Sequence, residues 1–199
     1  MKKASAHNFA AKKIILFLIA SVLLLFSCKT GKPLNKVENE VRIQTPFSEN
    51  QYRSDVKFIR AVYSHEGEDI AQDKTRAIMK AQLAIAQNAS SLIKSYLKDY
   101  AAERKIVNTE LQGSYQSIGE IWTRERLTNC NIIGEELYKN KKTGLYTYWV
   151  AMEMSRDELY KKTVNHINAD EHLRQDFEES RFRKIFDNGI KEIEKENQQ

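Results

Sequence analysis

Few side chains here are of the types that do chemistry, and their spacing limits what they can do. The 199 residues hold two cysteines, Cys28 and Cys130, and four histidines, His7, His65, His166 and His172. A cysteine nucleophile needs a histidine to take its proton, and Cys130 has none nearby in the chain. His166 and His172 bracket Asp170 and Glu171, which invites a metal-ligand reading. Residues six apart do not share a helix face, so these read as solvated side chains and no metal site is expected. Glu135 and Glu136 are adjacent in a strand-like run and point to opposite faces, a poor acid–base pair. Gly31-Lys32 stands outside any phosphate loop, and neither G-x-G-x-x-G nor G-x-S-x-G occurs. No catalytic residue and no cofactor is expected, and the chain reads as non-enzymatic.

Cys28 differs because of what precedes it. Lys2, Lys3, Lys12 and Lys13 are followed by a thirteen-residue apolar run, Ile14 to Phe26, broken only by Ala20 and Ser21. A helix needs about 20 apolar residues to cross a bilayer core. A basic start, a short apolar run and a small residue therefore read as a secretory signal peptide over residues 1–27, rather than a signal anchor. Leu25-Phe26-Ser27-Cys28 resembles the bacterial lipobox, in which the cysteine sulfur takes a diacylglyceryl group and the chain is cut just before it. A thiolate is the best side-chain nucleophile for that transfer, and the small Ser27 gives the peptidase access. Phe26 is bulkier than the residue usual there. In such lipoproteins an Asp after the cysteine favours the inner membrane; here Lys29 follows, so the expectation is a lipid anchor in the outer membrane, facing the periplasm, with the leaflet open. Cys130 is then the one remaining thiol, either free or bridged between chains.

The signal segment also explains the charge. The whole chain carries +5 and a pI near 9.0, but the four lysines of residues 1–27, with no acid among them, account for +4, leaving +1 for the rest. The basicity is no argument for nucleic acid. Trp122 beside Arg124 and Arg126 could stack on bases, but nucleic acid is not normally present in an envelope compartment, and no such partner is expected.

Residues 28–54, polar and holding both prolines, read as the lipidated cysteine and a tether, with Val37 to Ile43 open to helix or strand. A domain is expected over 55–168. It begins with a β-rich run from Val56 to Tyr63 that ends at a turn signal, Ser64-His65-Glu66-Gly67. From Asp69 to Ala102 the residues Ala77, Ala81, Ile85, Ala89, Ile93, Tyr96, Leu97 and Tyr100 recur at three- and four-residue steps, which predicts one long helix. Its alanines let it lie close to a sheet. Leu111, Tyr115, Ile118 and Trp122 predict a second helix, weakened by Gly113 and Gly119. Cys130–Tyr138 and Leu145–Met154 predict a hairpin around Asn140-Lys141-Lys142-Thr143-Gly144. Ser155-Arg156-Asp157-Glu158 predicts a capping box, with the Ser155 hydroxyl on the Glu158 amide and Glu158 reaching back. Residues 169–199 are read as one charged C-terminal helix. The fold class expected is α+β, a long alanine-rich helix on a small, mostly antiparallel three-stranded sheet, with extra C-terminal helices.

Tyr146, Tyr148, Val150, Met152 and Met154 share one face of the last strand, expected against the long helix. Leu145, Trp149 and Ala151 form an apolar row on the other. Two covers for that row are open: the C-terminal helices, or a subunit or partner. Trp122, Tyr148 and Trp149 are the candidate interface or ligand wall.

This layout resembles the LPP-twenty family of bacterial envelope lipoproteins, which has relatives among flagellar-associated lipoproteins. The resemblance rests on the lipobox, on Phe58-Ile59-Arg60-Ala61-Val62-Tyr63 leading to Gly67, on Ala77, Ala81, Leu83 and Ala84, and on Tyr146-x-Tyr148-Trp149-Val150-x-Met152. It spans residues 56–160; the C-terminal tail departs from it. It implies a helix on a three-stranded antiparallel sheet, a tendency to oligomerise, and no catalytic residues. The function expected is a structural, scaffolding or assembly-related envelope protein with a protein partner or second copy. The alternative is a periplasmic binding module for a cell-wall or small hydrophobic ligand.

Overall fold

The computed structural model describes residues 44–124 and 129–196. The expectations for Ser27, Cys28, the signal segment and Val37–Ile43 lie outside the described residues. A 3-10 turn at Asn50–Tyr52 precedes β1 (Phe58–Gly67), α1 (Ile70–Glu103), α2 (Thr109–Arg124), β2 (Asn131–Lys139), β3 (Tyr146–Ser155), α3 (Arg156–Ala169), α4 (Glu171–Asp176) and α5 (Glu179–Glu196). The architecture is α+β: an antiparallel sheet in the order β1-β3-β2, a long helix packed on it, and further helices at the C-terminus. No helix among the described residues is long and apolar enough to cross a membrane.

The 34 residues of α1 span about 51 Å. Asp69 caps its start, its carboxylate accepting from the Ala71 and Gln72 amides. At its end the Lys105 amide donates to Ala102 and the Ile106 amide to Ala101, the paired bonds of a Schellman motif. The first half of α1 lies on the sheet, where Ala77 and Ala81 are fully buried. The second half runs on into a helical bundle. There Tyr96 meets Phe186, and Tyr100 meets Tyr115, Phe177 and Phe182, at ring centroid distances of 5.3–6.1 Å. Asn108 caps α2 through the Glu110 and Leu111 amides, and Gly119 allows α2 to approach the Lys94 backbone closely.

The hairpin forms as its residue types predict. Asn140 donates to the Leu145 carbonyl, and Gly144 takes a left-handed backbone with φ 79°. Residue pairs along β1 and β3, from Ile59 with Met154 to Gly67 with Tyr146, place Ile59, Ala61, His65, Tyr148, Val150, Met152 and Met154 on the face toward α1. A bulge at Ile133 then puts Glu135 on this face and Glu136 on the other.

Four expectations change. Ser64–Gly67 is strand rather than turn, because it pairs with Trp149, Tyr148, Thr147 and Tyr146. The C-terminal tail is two helices: Phe177 is extended, and the Glu178 amide donates to the Tyr100 hydroxyl at 2.8 Å. Ser155 caps α3 through the Asp157 amide, not that of Glu158, whose carboxylate accepts from Asn129 instead, so no capping box closes. Residues 44–57, the expected end of the tether (to 54) and the first residues of the expected domain, lie on the outer face of the sheet in place of the C-terminal helices. Phe47, with a left-handed backbone at φ 58°, sets its ring on Gly134 and packs edge-on against Tyr52. Ser54 bonds the Arg60 backbone in both directions.

Candidate functional site

The three aromatic candidates do not form one wall. Trp122 is on α2 and 2% exposed, its indole nitrogen buried without a hydrogen-bond partner among the described residues. Tyr148 is buried on the inner face of β3, whereas Trp149, next in the strand, is half-buried on the outer face. Strand alternation separates the last two, and the helical layer removes the first.

The densest polar group lies where the first turns of α1 cross the sheet. Asp73, buried at 2%, places Oδ1 2.9 Å from His65 Nδ1. A carboxylate can only accept, so His65 Nδ1 donates and Nε2 is left as the second ring nitrogen. The strand passes at Gly67, where any Cβ would run into the Asp73 carboxylate. Directly opposite His65, the Tyr148 hydroxyl donates to Glu135, which also pairs with Lys74 at 3.0 Å, and Lys74 lies 5.4 Å over the Tyr148 ring. The Glu135 carboxyl is held below its ordinary range by the Tyr148 and Lys74 hydrogen bonds, and burial pushes the Tyr148 hydroxyl up.

A carboxylate-oriented imidazole is two-thirds of a nucleophilic triad. Among the described residues no serine, threonine or cysteine donates to His65. Here the pair ties α1 to β1, and the Lys74–Glu135–Tyr148 group ties it to β3 and β2. Neither group is marked by residue spacing in the sequence. An Asp in a helix's first turn reads as surface charge facing the dipole, and its histidine lies on another element.

A second polar group closes the far end of α1. Arg104 donates to the Asp176 carbonyl and carboxylate at 3.2 and 3.1 Å and pairs with Glu178, while the Tyr115 hydroxyl donates to Asp176 at 3.3 Å. Burial pushes the Tyr115 hydroxyl far above its ordinary value. Beside this group a cleft of about 730 Å³ lies between the last turns of α1, the loop that follows and the start of α2. Leu97 and Tyr115 are buried in its floor, and Lys94, Lys98 and Lys105 stand around it. No acidic residue lines it. No motif or spacing in the sequence marks it, because its lining comes from two helices and the loop between them.

Cys130 is free and half-buried. Burial pushes its thiol up to about 11, against the opposing pull of Lys162, so it is a poor nucleophile. Among the described residues no three His, Cys, Asp or Glu side chains are placed to hold a metal ion.

Fold and site thus define a small α+β, helix-on-sheet protein with an apolar, basic-rimmed cleft among its described residues. No protein-family model, curated protein or solved structure matches the chain.

Proposed function

We propose that this is a non-enzymatic protein of the bacterial cell envelope, anchored in the outer membrane by acyl chains on Cys28 and facing the periplasm, with a structural, scaffolding or assembly role. One observation carries the reading: Leu25-Phe26-Ser27-Cys28 closes a thirteen-residue apolar run behind four lysines. Each buried methylene of an acyl chain adds about 0.8 kcal/mol of membrane affinity, so two or three chains hold the protein fast. The resemblance to the LPP-twenty family supports the same reading. A protein contact, to a partner or a second copy, is supported by the edge strand β2, whose Ile132, Leu137 and Tyr138 are all more than 40% exposed.

Metabolic labelling with palmitate and mass spectrometry of the mature amino terminus test the anchor. Label on the wild-type chain, an amino terminus at Cys28, and a Cys28→Ser form that leaves the membrane fraction are the expected results. A Cys28→Ser form that still sediments with membranes overturns it. A second reading, a binding module for a small hydrophobic ligand, is favoured by the cleft between α1 and α2.

A further inference from the structure

The cleft is of ligand size: pockets for small molecules run from about 300 to 1,000 Å³ and are mostly apolar with a few placed polar groups. Its wall is formed by Leu97, Ala101, Ile106, Val107 and the Tyr115 ring. Val107, at the rim, is 87% exposed, a large apolar side chain left in water at the mouth of an apolar cleft. The charges around it are of one sign. Lys94 is partly neutralised by Glu120 at 3.4 Å, whereas Lys98 and Lys105 have no ion-pair partner among the described residues.

Lys105 adds an independent observation. It occupies the position after the α1 cap with a left-handed backbone, φ 54°, where glycine is the usual residue because any side chain is strained there. Strain of this kind collects at functional sites. Here it sets an ammonium group at the cleft.

We propose that the cleft between α1 and α2 binds a single-chain amphiphile with one anionic head group, the head held by Lys98 and Lys105 and the tail lying along Leu97, Ile106, Val107 and the Tyr115 ring. A neutral apolar ligand would leave both ammonium groups unpaired, and a cation would be repelled. The inference rests on the second reading above and is independent of the anchor on Cys28. A concave cleft with two buried floor residues fits one chain rather than a bilayer surface.

Labelled octanoate is the probe. It is equilibrated by dialysis against the full chain in phosphatidylcholine vesicles, with uptake by protein-free vesicles subtracted. The expected result is saturable uptake at one site per chain, with octanol bound about tenfold more weakly. Lys98→Glu weakens octanoate about fivefold or more. Lys105→Gly separates ligand binding from a structural role: it relieves the strain and raises the thermal midpoint by about 2–4 °C while weakening octanoate about threefold. Octanol binding as tightly as octanoate overturns the anionic head and leaves the hydrophobic-ligand reading standing. No saturable uptake of either compound overturns both. Octanoate binding unchanged in Lys98→Glu and Lys105→Gly also overturns the proposal.

Discussion

The two halves of α1 solve one problem in opposite ways. Over the sheet the helix presents Ala77 and Ala81, and the backbones close up; over the bundle it presents Tyr96 and Tyr100, and rings fill the space. Small side chains leave no room for error, and there His65 pairs with the buried Asp73, and Lys74 with Glu135 nearer the surface. Large rings bring hydroxyls with them, and each needs a partner once buried. Tyr100, Tyr115 and Tyr160 accordingly bond Glu178, Asp176 and Glu179. The cleft lies at the ring-packed end, between the last turns of α1 and the start of α2, with Leu97 and Tyr115 buried in its floor.

The strongest test of this contrast is Phe182→Ala. Phe182 is fully buried and touches the rings of Tyr100, Tyr160, Phe177 and Phe186. Its loss is expected to cost about 3–5 kcal/mol in denaturant unfolding of the full chain. A change below about 1 kcal/mol would mean the bundle does not depend on its ring cluster. The complementary change is Ala81→Leu, which forces added volume between helix and sheet. A loss of about 1–3 kcal/mol is expected. If the leucine is tolerated without loss, the sheet end is not close-packed and the contrast fails.

The same contrast explains what could be read without coordinates. α1 was visible because its small residues and its aromatics both keep helical steps, and β3 because its apolar residues alternate. Asp73 was not, because its burial depends on His65 on a neighbouring strand and on Gly67 making room. Ser64–Gly67 carries turn-forming residues, and pairing with β3 overrides that local preference. Strand alternation puts Trp149 on the face away from α1, where the structure has it. Its cover carries no such signal, because residues 44–57 dock through scattered contacts, Phe47 on Gly134 and Ser54 on Arg60, which leave no period in the sequence. The cleft depends on how the end of α1 and the start of α2 meet, which no local pattern records.

A smaller effect is expected from Gly134→Ala, which probes that outer layer. A Cβ there would stand 2.7 Å from the Phe47 ring, so the ring must leave. Hydrogen exchange should then quicken at Tyr52 and Arg53, whose amides bond Glu49 and Asn50, with protection in α1 unchanged. The global loss should be about 1 kcal/mol or less. Unchanged exchange at Tyr52 and Arg53 would show that Phe47 does not hold the segment down.

The mildest perturbation is a proton on Asp55, which fastens the same layer at its other end. Asp55 accepts from the Lys57 and Phe58 amides and from Arg60, and Arg60 also reaches Glu153. Burial pushes the Asp55 carboxyl up, but the hydrogen bonds from Arg60 and the two amides outweigh it, and the group lies below its ordinary 3.8. The folded state therefore binds this proton less readily than the unfolded chain does. The carboxylate's contribution is complete above pH 3.8 and is lost as pH falls through the lower folded value. Protection factors at Lys57 and Phe58 should hold level from neutral pH down to that point and then decline, while α1 keeps its own. Asp55→Asn should lower protection at neutral pH and remove the decline. A wild-type profile that already falls between pH 7 and pH 5 would assign the fastening to some other group, and the outer layer would then not be held through Asp55.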